Sequence, residues 1–112
     1  MDKYENRAME LESGIAAFET KNFAHAIKLL SPIAEEGNPE AMYRMAIMLQ
    51  NGLGCIENTE KAFKYMANAA ESGYPLAQHA YGVMFFEGEC TEKDIIKSSE
   101  WFTRAADQGL LG

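Results

Sequence analysis

Apolar residues recur along this chain with the period of an α-helix. From 59 to 73 they fall at Ala62, Tyr65, Met66, Ala69 and Ala70, and from 95 to 109 at Trp101, Phe102, Ala105 and Ala106. That is the i, i+3, i+4, i+7, i+8 spacing of one helical face. An earlier stripe has the same form: Ala26, Leu29, Leu30, Ile33, Ala34. The stripes are followed by Gly37, Gly73 and Gly109, residues that can take the left-handed conformation closing a helix.

The pattern repeats. Residues 38–73 lie over 74–109 at a shift of 36 with no gap, matching Pro39/Pro75, Ala41/Ala77, Met48/Met84, Gly52/Gly88, Lys61/Lys97, Ala69/Ala105, Ala70/Ala106 and Gly73/Gly109. Each unit reads as two antiparallel helices, with small residues where the helices touch and glycines where they stop. A third, divergent unit covers 1–37. Its first helix is read from Gly14, Ala17 and Phe18, with Gly14 matching Gly82 and Phe18 matching Phe86, and its internal connection is four residues shorter.

Start signals agree with six helices. Asn38-Pro39 places a cap residue before a proline at the first helical position, Asn22 and Asn58 stand at two further starts, and Thr91-Glu92-Lys93-Asp94 resembles a capping box. Pro32 falls inside the second helix, where its missing N–H predicts a kink or a shift in packing.

These residues resemble the Sel-1-like repeat family, a branch of the tetratricopeptide-type helical solenoids. The resemblance is carried by Ala41, Met45, Ala46, Met48, Leu49, Gly52, Gly54, Cys55, Asn58, Ala62, Tyr65, Ala69, Ala70 and Gly73. In the last unit it is carried by Ala77, Gln78, Tyr81, Gly82, Met84, Phe85, Gly88, Asp94, Trp101, Ala105, Ala106 and Gly109. It implies an all-α, right-handed superhelix of about three helix-turn-helix repeats: one domain over 1–112, divided at 1–37, 38–73 and 74–109. Cys90 and Thr91 stand where the family has glycine and valine, and Ser98 and Ser99 replace the pair Ala62 and Phe63. The last loop and the helix after it are therefore expected to be less regular.

Composition narrows the function. With 10 Lys+Arg against 17 Asp+Glu the formal charge is −7. That charge repels a phosphate backbone, and no basic run with interleaved aromatics compensates, so nucleic acid is not an expected partner. Apolar runs such as Met45–Leu49 fall far short of the ~20 residues needed to span a bilayer. The charged start, Met1-Asp2-Lys3-Tyr4, lacks the apolar segment of a secretory leader, which points to the cytoplasm. At 47% apolar with 3 Pro, the chain has the makings of a packed core.

Candidate chemistry is sparse. His25 and His79 lie in different units and no CxxC occurs, so no metal or other cofactor is expected. Cys55 and Cys90 lie in corresponding loops of neighbouring units, on the order of 10 Å apart and beyond disulfide reach, which predicts free thiols. The acidic pairs Glu10/Glu12, Glu35/Glu36 and Glu57/Glu60 read as solvated faces, and Ser13, Ser31, Ser72, Ser98 and Ser99 lack a nucleophile elbow.

What remains is a surface. In solenoids of the resembled type the first helix of each unit lines the concave side. That geometry would align Leu11, Ile15 and Phe18 with Tyr43, Ile47 and Gln50, and with His79, Val83 and Phe86, adding Arg44 and His79 as polar readers; about half of these helical apolar positions would pack into the core. The expected function is a non-catalytic adaptor that binds a protein or peptide along this row. Two alternatives are a hydrolase acting on cell-wall or β-lactam ligands, as proposed for some bacterial members, and a structural segment of a longer array. The end at Leu110-Leu111-Gly112 lacks a polar closing helix, which adds the expectation of a homodimer through that end.

Overall fold

A computed structural model describes residues 3–110, with side chains from residue 5 onward. Six helices follow one another: α1 (Lys3–Glu19), α2 (Phe23–Glu35), α3 (Pro39–Asn51), α4 (Thr59–Glu71), α5 (Pro75–Glu87) and α6 (Ile95–Asp107), with no strand among the described residues. Each helix packs on its sequence neighbours. The leading helices α1, α3 and α5 also touch one another in order, and no comparable contact joins the trailing helices α2, α4 and α6. The stack therefore curves with its leading helices on the inner flank, within an envelope of 46 × 30 × 22 Å.

The helix starts are built by side chains. Asn38 accepts from the Ala41 N–H, Asn58 from Lys61 and Asp94 from Lys97, each at 3.0 Å, satisfying donors that the first turn leaves without a partner. Asn22 stands at the start of α2, as expected, without a side-chain cap bond. One expectation is corrected here. Asp94, not Thr91, caps α6; Thr91 belongs to the loop, which is anchored when the Asp94 N–H bonds Phe85 O at 2.8 Å.

The expected irregularity of the last unit is also corrected. In the α3–α4 loop, Leu53 N–H bonds Met48 O at 2.9 Å and Asn58 N–H bonds Leu49 O at 2.8 Å. The α5–α6 loop repeats this 36 residues on: Glu89 to Met84 at 2.9 Å, Asp94 to Phe85 at 2.8 Å. Cys90 holds φ +65° where Gly54 holds +71°, so the chain keeps the loop's shape by placing a cysteine in left-handed backbone. α6 has 13 residues, as does α4. Ser98 takes the buried place of Ala62 by donating its hydroxyl to Gly82 O at 2.8 Å, which removes the cost of burying it. Pro32 leaves α2 continuous to Glu35, with its ring exposed.

The core is one band through all three hairpins. Ala26, Leu30, Ile33 and Ala34 of α2 are buried, as are Ala41, Met45, Ala46 and Met48 of α3, Ala62, Met66, Ala69 and Ala70 of α4, and Ala77 and Met84 of α5. Alanines let the helices approach, and the larger side chains fill the space beside them. At the last junction the filling is aromatic: Phe63 meets Tyr81 at 5.4 Å between ring centroids, Tyr81 meets Phe85 at 4.8 Å and Trp101 at 5.0 Å. Gln78 enters this core with its amide satisfied, donating to Ala70 O at 3.2 Å and accepting from Gln108 at 2.8 Å.

Candidate binding surface

The ten residues expected from the sequence all lie on the leading helices α1, α3 and α5, and the structure divides them. Ile47 and Gln50 of α3 and His79 and Val83 of α5 line one cleft of about 210 Å³. Met66 and Met84 add apolar lining and Glu87 and Glu89 add carboxylates. Gln50 donates its amide to Glu89 at 2.9 Å, joining the end of α3 to the α5–α6 loop across this cleft.

Phe18, Tyr43 and Arg44 form a second group. The Arg44 guanidinium lies 5.9 Å from the Phe18 ring centre and 5.7 Å from that of Tyr43, and it donates to Glu40 O at 3.0 Å and to the Tyr74 hydroxyl at 3.3 Å. Rings and hydroxyl hold the cation in place while leaving it half-exposed. Burial pushes the Tyr43 phenol up, the nearby Arg44 charge opposing, so Tyr43 is a neutral hydrogen-bonding group over the physiological range. Phe18 also meets Phe23 edge-on at 5.9 Å, and Tyr43 meets Tyr74 at 5.6 Å.

The remaining members go elsewhere. Leu11 lines a depression with Arg7, Ala8, Ile33 and Glu36 at the other end of the stack. Ile15 is half-buried on α1. Phe86 is 53% exposed and joins Phe102 and Ile95 in a separate groove between α5 and α6. His79 contributes to the cleft and also packs on the Phe102 ring at 5.2 Å. Leu11, Phe18, Tyr43 and Ile47 each rest partly on the core, so these four both support the stack and face outward.

Sequence reasoning missed Tyr74 and the carboxylates Glu87 and Glu89. Tyr74 sits at the cap position of α5 rather than on a helical stripe, so periodicity does not find it. At the repeat shift it lies over Asn38, a capping residue of different chemistry, so the repeat gave no signal for it either.

Catalytic groupings are not assembled from the named candidates. The Ser72 hydroxyl donates to Asn68 O and that of Ser98 to Gly82 O. Among the described residues no three His, Cys, Asp or Glu gather as metal ligands. Cys55 and Cys90 are free, and burial, with Glu89 and Glu57 nearby, pushes the Cys90 thiol up, away from the reactive thiolate. No described helix is long and apolar enough to cross a membrane.

Three stacked helical hairpins with a shared inner flank and a common 36-residue register define an α-solenoid repeat protein. The family model of the Sel1 repeat matches residues 6–38, 39–74 and 75–110, and the chain belongs to that family. Among solved structures it is similar to a Sel1 repeat protein from Oxalobacter formigenes (TM-score 0.80, 28% identity, 88% of this chain, 40% of the other). It is also similar to a protective antigen of uropathogenic Escherichia coli strains displaying an SLR fold (TM-score 0.85, 25% identity, 96% of this chain, 24% of the other). The chain thus spans less than half the length of either. No curated protein matches it significantly.

Proposed function

We propose that this chain is a non-catalytic adaptor or scaffold that binds a protein or peptide partner along its inner flank. The observation that carries this reading is the cleft where Ile47, Gln50, His79 and Val83 meet, with apolar lining and the carboxylates of Glu87 and Glu89. An apolar side chain seats there, and a basic neighbour on the partner reaches the carboxylates. Arg44, pre-positioned between Phe18 and Tyr43, supplies a donor for a backbone carbonyl or a carboxylate farther along the flank. The half-exposed aromatics give contact area at low ordering cost.

The test is an unbiased pull-down with the intact chain as bait, repeated with Val83→Glu. Val83 is half-exposed, so the fold should survive, as circular dichroism checks, while a partner seated in the cleft is lost. A partner retained undiminished by the variant removes the cleft from the reading. A structural segment of a longer array is the second reading, favoured by the greater length of the two similar proteins. Two free cysteines suit the cytoplasm, the compartment we favour.

A further inference from the structure

The three trailing helices share one register, so corresponding positions can be compared across the stack. In α2 and α4 one outward edge receives the next hairpin: Leu30 and Ala34 are buried there, and Met66 and Ala70 likewise, at 1% and 0% exposure. In α6 the same two positions are Phe102 and Ala106, the first half-exposed and the second exposed. They line an open groove of about 400 Å³ with Phe86, Ile95, Ser99 and Thr103. Ile95 is 51% exposed and Ile96 74%. This edge continues an interface that is closed at both earlier junctions.

The opposite end of the stack does not supply its mate. Where α3 and α5 dock through Ala41 and Met45, or Ala77 and Tyr81, α1 has Met9 and Ser13, with Glu10 paired to Arg7 at 2.9 Å between them. Head-to-tail stacking of copies would set the apolar groove against a serine and an ion pair, taking charged groups out of water against an apolar surface. The groove does match itself. Ser99, Phe102, Thr103 and Ala106 are spaced i, i+3, i+4, i+7, the four corners of a hole that accepts one large side chain. In two antiparallel copies of α6, each Phe102 can fill the hole of the other, flanked by the small residues Ser99 and Ala106.

We propose that the α5–α6 edge is a self-association surface, and that two copies of this chain pair through it about a two-fold axis. A closed isologous contact of this kind ends at a dimer and does not propagate.

The test is sedimentation velocity on the intact chain across concentrations from about 1 µM to about 500 µM, the range in which a modest interface shows mass action. The expected result is a shift from the 12.5 kDa monomer to a species of twice that mass, with nothing larger. Phe86→Glu and Ile95→Glu, both at well-exposed positions, should abolish the shift while the far-ultraviolet spectrum is unchanged. Met9→Glu, at the other end, should leave it intact. A chain that stays monomeric throughout, which would leave the groove for a helix of another protein, overturns the proposal. So does dimerisation insensitive to Phe86→Glu and Ile95→Glu, or lost in Met9→Glu, or growth into larger species. None of these outcomes bears on the inner-flank reading, which Val83→Glu tests separately.

Discussion

Gly54 is the point where the α3–α4 loop presses on the preceding hairpin, and replacing it with alanine tests how rigidly the units are stacked. Its φ is +71°, and a Cβ built there would lie 2.8 Å from Phe23 Cβ and 2.9 Å from both Ala24 N and Phe23 C. Two of those three atoms are backbone at the start of α2, so no rotamer change relieves the overlap. The left-handed conformation costs an L-residue roughly 1–2 kcal/mol. Pushing back a packed helix by about half an ångström adds roughly 1–3 kcal/mol. Gly54→Ala should therefore lower stability by about 2–5 kcal/mol. The control is Gly52→Ala in the same loop: its φ is +66°, but its nearest contacts are at an ordinary 3.6 Å, so only the conformational cost of roughly 1–2 kcal/mol applies. Urea unfolding at constant m-value reads both. If the two variants lose the same amount within ~0.5 kcal/mol, the loop is not wedged against α2, and the tight stacking argued here is wrong.

Three further outcomes follow from particular contacts. Burial, with a hydrogen bond to Glu35, pushes the Tyr65 phenol well above its ordinary value near 10. The stability it contributes is fully present below pH ~10 and is lost as pH climbs from there towards the raised folded value, so urea midpoints measured from pH 8 to 11 should fall less steeply in Tyr65→Phe than in the parent. Gln78→Met, which imports the residue found one repeat earlier at position 42, removes the bonds to Ala70 and Gln108 and should cost about 1–2 kcal/mol; a more stable variant in thermal unfolding would show that the amide is dispensable. Arg44→Met should cost about 1–2 kcal/mol, since it forfeits two half-exposed cation–ring contacts and the hydrogen bonds to Glu40 O and the Tyr74 hydroxyl, and weaken any partner that engages the Arg44 end of the flank, as titration calorimetry against the captured partner would record.

Much of the architecture was legible because a solenoid is nearly one-dimensional: each hairpin's contacts are with its neighbours, so local periodicity and a fixed repeat carry most of the information. The stripes at Ala26–Ala34 and Ala62–Ala70 became the buried faces of α2 and α4, with Leu29 half-buried. In the Trp101–Ala106 stripe of α6 Ala105 is buried, Trp101 and Phe102 are half-buried and Ala106 is exposed at the open edge. The shift of 36 became the translation between hairpins. The short first connection is seen as well: three residues, 20–22, against seven, 52–58, a difference of four. Departures from consensus misled. Cys90 and Ser98 suggested an irregular last unit, but a cysteine can be held in left-handed backbone and a serine can be buried when its hydroxyl finds a carbonyl.

The amino-acid pattern alone thus determined that there are six helices, where most of them start and stop, and that they pair into three hairpins in register, because these depend on neighbours along the chain. The grouping of the flank was decided only in three dimensions. Whether Phe86 joins Val83 or Phe102, whether Arg44 points free or is held between Phe18 and Tyr43, and whether Gln50 is open or tied to Glu89 depend on the rotation and curvature between successive hairpins. That curvature is summed from side-chain volumes at every junction, a quantity no single repeat contains.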